Sequence, residues 1–200
     1  MGSVEDGTSV SDFDEEEQKH HFSVDTSVLH LEHEGRFVNL LDAPGYPDFV
    51  GAALEALNAV ETAVIVISAV HGVEVNTRRM FEEAEKHHLT RLIVINKCDG
   101  DNINFPELVA SIQDVFGKKC VLFDVPDGVG ANFKGVVSVL NPPEKIPTSC
   151  VIDPRQIRTQ LVDAVVEGDE KLLEKYLAEG ELSVEELEAA AGKAVEAGTV

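Results

Sequence analysis

Two short segments of this chain combine residue types that can do chemistry: Asp42-Ala43-Pro44-Gly45-Tyr46 and Asn96-Lys97-Cys98-Asp99. In the first, the Asp42 carboxylate can hold the water shell of Mg²⁺. Gly45 can bring a bare backbone N–H to a phosphate oxygen, and Pro44 and Gly45 make the sharp turn this needs. In the second, Asp99 can accept hydrogen bonds from both the ring N–H and the exocyclic amine of guanine. The Lys97 stem can cover the base, while Asn96 ties neighbouring loops together. A carboxylate that accepts twice rejects adenine. Either motif alone is a weak signal, but their order, spacing and position after apolar runs point jointly to a guanine nucleotide with Mg²⁺.

Such residues meet a ligand only if both segments lie at the carboxyl edge of a sheet, where open α/β folds bind their ligands. Residues 37–41, Phe-Val-Asn-Leu-Leu, read as the strand that delivers Asp42, and residues 92–95, Leu-Ile-Val-Ile, as the strand that delivers Asn96. Phe22, Val24, Leu29 and Leu31, followed by Glu32-His33-Glu34-Gly35 and residues 37–41, predict an antiparallel hairpin. Helical spacing predicts helices over 48–60, 76–87 and 105–116, and apolar runs predict strands over 63–67 and 121–123. The alternation implies an α/β fold: a mainly parallel sheet with helices on both faces. After Gly128 the pattern changes to a strand over 133–140, a Pro-rich break over 141–147, and helices over 155–167, 170–178 and 184–197. A Ser183 to Glu186 capping box starts the last of these. This divides the chain into residues 1–128, with both motifs, and an α-rich subdomain over 129–200. The first twenty residues lack periodicity and read as a mobile loop.

Composition excludes several classes. A net charge of -21 argues against a broad grip on nucleic acid and against a sequence-specific DNA partner. The apolar run over 63–70 is far too short to span a bilayer, and no signal peptide precedes it, so no membrane partner is expected. Cys98, Cys120 and Cys150 form neither a metal-ligand spacing nor an even disulfide set. They read as two strand or loop residues and one surface thiol in a reducing, cytoplasmic setting. The adjacent pairs His20-His21 and His87-His88 point apart and lack a third ligand. His71 reads as a loop residue, and Phe22, Phe37 and Phe49 as core.

Taken together, the residues resemble the GTPase region of translation elongation factor G, especially its divergent elongation factor G-like paralogues. The resemblance runs from Gly2-Ser3-Val4-Glu5-Asp6-Gly7-Thr8 through Asp42 to Phe49 and Asn96 to Asp99 to Leu172-Leu173-Glu174-Lys175-Tyr176-Leu177. It implies a P-loop GTPase-type domain with an inserted subdomain, GTP or GDP and Mg²⁺ as cofactors, and the ribosome, through its stalk and factor-binding region, as partner. It implies Ser23 as a Mg²⁺ ligand in the first switch loop, with Asp42 opening the second. Gly45 would lie at the γ-phosphate and Tyr46 near the attacking water.

The sequence departs from that family at three places. A Gly-x-x-x-x-Gly-Lys-Ser/Thr loop is absent: Gly117-Lys118 is followed by Lys119, and Gly192-Lys193 by Ala194. The family places that loop before position 1 and a last guanine-contacting strand beyond Val200, so the chain reads as a piece that should bind nucleotide poorly alone. Tyr46 stands where elongation factor G usually has His, and His20-His21-Phe22-Ser23 replaces Arg-Gly-Ile-Thr. The alternative is a non-catalytic module whose acidic helices dock a ribosomal or other basic partner. A dinucleotide site is discounted, because no Gly-x-Gly-x-x-Gly is present.

Overall fold

Within the first twenty residues, read as a loop without periodicity, residues 15–20 form a helix. A computed structural model describes residues 2, 3 and 6–200; Val4 and Glu5 of the Gly2 to Thr8 segment lie outside it. Helix α1, Glu15–His20, is stabilised at its ends rather than by an apolar face. Asp14 and Glu17 form a reciprocal capping box, three glutamates occupy the first turn, and Lys19 and His20 the last, all favourable to the helix dipole. His21, at φ 58°, ends the helix in the left-handed conformation.

The described chain divides into two units, Met1–Glu61 with Glu82–Leu89, and Thr62–Phe81 with Thr90–Val200. In the first, β1 (Ser27–His33) and β2 (Arg36–Asp42) pair antiparallel, Ser27 opposite Asp42 and His33 opposite Arg36. Glu34 and Gly35 both have positive φ, 50° and 73°, which suits the two-residue turn of a right-twisted hairpin. The first strand begins at Ser27, not at Phe22, because residues 22–25 are drawn back against α1. A 3₁₀ turn, Pro47–Phe49, leads into α2, Val50–Leu57.

In the second unit, β3 (Thr62–Ser68) and β4 (Thr90–Asn96) run parallel in register; the crossover between them in sequence is α3 (Val75–Lys86), which belongs to this unit only as far as Phe81. Ala63, Ile65 and Ile67 are buried on one face, whereas Val64, Val66, Leu92 and Val94 are exposed on the other. Helix α4, Phe105–Phe116, buries Phe105, Leu108, Ile112 and Phe116 at helical spacing, is capped by Asn104, and stops at Gly117, φ 102°. The described strands form three two-stranded sheets, of which only β3 with β4 is parallel.

The strand expected over 121–123 forms three residues later as β5, Asp124–Pro126, antiparallel to β6, Val136–Ser138. Val121, Leu122 and Phe123 instead pack against the core below the helices. The last third holds α5 (Pro154–Val166), α6 (Glu170–Glu179) and α7 (Val184–Ala197). Their core joins Leu161, Val165, Leu187 and Ala191 to Val125 of β5 and to Val139, so it is not built from helices alone.

Candidate functional site

Asn96 is the last residue of β4, as the apolar run ahead of it predicts. Its Oδ1 accepts the Lys97 N–H at 2.8 Å, and its carbonyl accepts the Ala69 N–H at 2.8 Å. Lys97 adopts φ 59°, and Gly100 N–H closes a turn on the Lys97 carbonyl at 3.0 Å. Inside that turn Cys98 is buried, its Sγ–H aimed at the Ile95 carbonyl at 3.6 Å, while Lys97 and Asp99 on either side of it are exposed. Burial pushes the Cys98 thiol up, and the neighbouring Asp99 carboxylate adds to this, so the residue anchors the loop as a neutral packing group.

The loop has a support that the sequence reading missed. Gly130 N–H donates to the Cys98 carbonyl at 2.8 Å, and Gly130 itself sits at φ 62° with the Gly100 carbonyl 3.3 Å from where a Cβ would lie. The two glycines of Asp127-Gly128-Val129-Gly130 were the available signal: close backbone approach is a reason for glycine.

Asp42, Pro44, Gly45, Tyr46 and Ser23 all fall in the first unit, while Asn96, Lys97 and Asp99 fall in the second. Asp42 closes β2 and is exposed; Pro44 is buried, and a Cβ on Gly45 would meet nothing within 4 Å. No protein neighbour therefore demands glycine at position 45. Tyr46 is 54% exposed, and its ring lies 4.9 Å from Phe22, which also stacks on Phe49 at 6.1 Å and His20 at 5.7 Å. Phe22 thus joins the residues ahead of Ser23 to the turn after Asp42. Among the aromatics read as core, Phe22 and Phe49 are half-buried, and Phe37 is 67% exposed, stacked on His30 across the hairpin at 5.5 Å. Phe37 lies on a hairpin that is open along its length, with Val28, Leu31 and Leu40 exposed as well.

Ser23 is held from behind by Glu17, a second residue missed in the sequence. Glu17 Oε1 accepts the Val24 and Asp25 N–H groups at 2.9 and 3.2 Å, and Oε2 accepts the Asp14 N–H at 3.1 Å. Desolvation raises the Glu17 carboxyl, but backbone donors from Val24, Asp14, Asp25 and Phe13 outweigh it and hold the group below its ordinary value. Nearby, the Ser27 hydroxyl donates to the Ser11 carbonyl at 2.5 Å and Thr26 to the Ala52 carbonyl at 3.2 Å. His20 Nε2 faces Glu16 at 3.2 Å.

Among the described residues, no three His, Cys, Asp or Glu side chains are placed to hold a metal ion, and no helix is long and apolar enough to cross a membrane. All three cysteines are free. The expected surface thiol is not found: Cys120 is half-buried, and Cys150 packs against the core under α5.

Known proteins resemble this chain along most of its length. The family model described as the elongation factor Tu GTP binding domain matches residues 1–197. Elongation factor G-like proteins of two Mycobacterium tuberculosis strains, CDC 1551 / Oshkosh and H37Rv, are 35% identical over 184 residues, which is 88% of this chain and 26% of theirs. The chain therefore spans about a quarter of the length of these relatives. A crystal structure of a Thermus thermophilus protein superposes with a TM-score of 0.86 at 34% identity, covering 99% of this chain and 31% of that one. The fold is that of a P-loop GTPase G domain, and the chain belongs to the elongation factor Tu GTP-binding domain family, with elongation factor G-like relatives.

Proposed function

We propose that the protein carrying this chain is a translational GTPase of the elongation factor G-like kind, which binds GTP with Mg²⁺ and acts on the ribosome, in elongation or in ribosome disassembly. The observation that carries the reading is the Asn96-Lys97-Cys98-Asp99 turn at the end of parallel strand β4, with Cys98 buried beneath it and Asp99 beside it. In this reading Asp99 accepts twice from guanine, Lys97 covers the base, and Asn96 braces the loop. Asp42 holds the water shell of Mg²⁺ beside Pro44, and Ser23 supplies a hydroxyl to the metal when GTP is bound.

Gly45 leaves room for the γ-phosphate to approach its backbone, which fits the empty space where a Cβ would stand. Tyr46 lies near the attacking water, where its phenol can donate a hydrogen bond but cannot supply the positive charge of an imidazolium. Hydrolysis slower than that of a protein with His at this position is the expected consequence.

Titration calorimetry with GDP, GTP, ADP and xanthosine diphosphate, in Mg²⁺, tests the reading. Guanine nucleotides should bind and ADP should not, and Asp99→Asn should move the preference to xanthine, whose carbonyl replaces the exocyclic amine. Equal affinity for ADP and GDP would sink the assignment.

A second reading has one observation in its favour. Helix α6 exposes Leu173 and Leu177, the latter 76% exposed, one turn apart on an acidic helix. That pattern suits a basic partner with an apolar patch, such as the ribosomal stalk or factor-binding region. Loss of ribosome-stimulated turnover in Leu177→Glu, with basal nucleotide affinity intact, is the outcome it requires.

A further inference from the structure

The stretch from Asp12 to Glu17 is almost wholly acidic, yet it treats its carboxylates unequally. Glu15 and Glu16 are exposed, whereas Glu17 is 1% exposed. A carboxylate leaves water only when hydrogen bonds replace its solvation. Here the replacement comes partly from the helix cap and partly from the far side of the loop: Oε2 takes the Asp14 N–H, and Oε1 takes the N–H groups of Val24 and Asp25. Helix capping needs only the first of these. The other two close residues 18–23 into a loop fixed at both ends by one side chain.

The Val24 N–H belongs to the planar peptide unit that also contains the Ser23 carbonyl. Gripping that N–H fixes the plane on which Ser23 is carried and leaves its side chain little more than χ1 to adjust. The Phe22 ring, packed on Tyr46 and Phe49, fixes the preceding residue. Among the described residues the Ser23 hydroxyl has no hydrogen-bond partner of its own, so its position is set through the backbone and its lone pairs remain open. We infer that Glu17 is a positioning residue: its carboxylate holds the Ser23 hydroxyl where it can meet Mg²⁺ in the GTP-bound state. The inference rests on the reading of Ser23 as a metal ligand.

The test uses the full natural polypeptide that contains this chain, with a fluorescent non-hydrolysable GTP analogue and with GDP, and reads the Mg²⁺ concentration at half-maximal binding of each. Ser23→Ala should raise that concentration for the GTP analogue alone. Glu17→Ala should raise it about tenfold, the scale of one lost charge-assisted hydrogen bond, with the GDP value unchanged. Glu17→Gln keeps an Oε1 acceptor and should show a smaller rise. The double variant Glu17→Ala with Ser23→Ala should be no worse than Ser23→Ala, since residues acting through one another are not additive. Asp14→Ala, which weakens the cap but leaves the clasp, should resemble the parent.

A purely structural role for Glu17 predicts equal loss for both nucleotides, or equal loss in Asp14→Ala, and either result overturns the inference. If Ser23→Ala shifts the Mg²⁺ requirement and neither Glu17 variant does, the inference fails while the Ser23 reading stands. If Ser23→Ala itself is silent, that reading falls and takes the inference with it.

Discussion

The loop over Asn96 to Asp99 and the loop over His20 to Ser23 are anchored by opposite means. The first is tied by backbone bonds to two separate segments, Asn96 to Ala69 and Cys98 to Gly130, and is closed on itself from Lys97 to Gly100. It also has a buried side chain at its centre. The second is gripped mainly by two side chains, the Glu17 carboxylate and the Phe22 ring, with the His21 N–H on the Glu17 carbonyl as a local backbone tie. Many independent backbone bonds hold a single geometry, whereas a loop held by two side chains is released when either contact is lost. A base reader has to keep one shape in every nucleotide state, and a loop that answers to the γ-phosphate has to have two. The difference in anchoring is the one that the roles proposed for the two loops require.

The largest expected effect tests the rigid side of the contrast. Asp99→Ala removes two charge-assisted acceptors, each worth about 1.5–3 kcal/mol, so guanine affinity should fall about a thousandfold by calorimetry. The loop over His20 to Ser23 should be untouched, with the amide exchange of Val24 and Asp25 unchanged. Gly100→Ala comes next. Its new Cβ would meet Val70 Cγ2 at 2.5 Å and the Lys97 carbonyl at 3.2 Å, an overpacking that costs about 1–3 kcal/mol. A guanine affinity that survives this substitution unchanged would show the reader loop to be softer than its bonds suggest. Phe22→Ala should be milder, about 1 kcal/mol from the lost ring contacts, because the ring is only half-buried. Its readout is the Tyr46 fluorescence or ring resonance, which should shift toward that of a solvated phenol.

The same contrast explains what could be read in the sequence. Helix α4 and the helix α7 with its Ser183 cap follow directly from apolar spacing and end residues, since burial and local capping act together there. The turn over Asn96 to Asp99 was legible because one short run supplies both the strand and the turn that ends it. Helix α1 was not, because it lacks an apolar stripe and is stabilised by Asp14, Glu17 and its end charges. Asp14-x-x-Glu17 was a visible capping pattern, but an acidic run resembles solvated coil when judged by hydrophobicity alone. The strand expected from Phe22 failed for a related reason. Alternation at Phe22 and Val24 is compatible with a strand, and only the long-range Glu17 clasp, invisible to periodicity, takes those residues out of it. Residues 121–123 lost their pairing to the helical core, a tertiary preference that propensity does not encode.

Acid gives the gentlest way to separate the two loops. Glu17 has a folded-state pKa below its ordinary value of 4.5, burial raising it and the backbone donors of Val24, Asp14, Asp25 and Phe13 lowering it by more. A depressed carboxyl contributes stability that is present above the unfolded pKa and is lost as pH falls through the folded one. The clasp should therefore be intact at neutral pH and should open as pH falls below about 4.5. The loop over Asn96 to Asp99 depends on backbone bonds around the Cys98 thiol, whose ordinary value of 9.0 already keeps it neutral in acid and which burial pushes further up. Hydrogen exchange, corrected for the intrinsic pH dependence, should show protection of Val24 and Asp25 amides falling with acid while Gly100 and Gly130 amides stay protected. Glu17→Gln should flatten the response, since no proton remains to be taken up at that side chain. Equal loss at both loops, or an unchanged response in Glu17→Gln, would mean that acid acts on the whole fold, and that the two loops are not anchored independently.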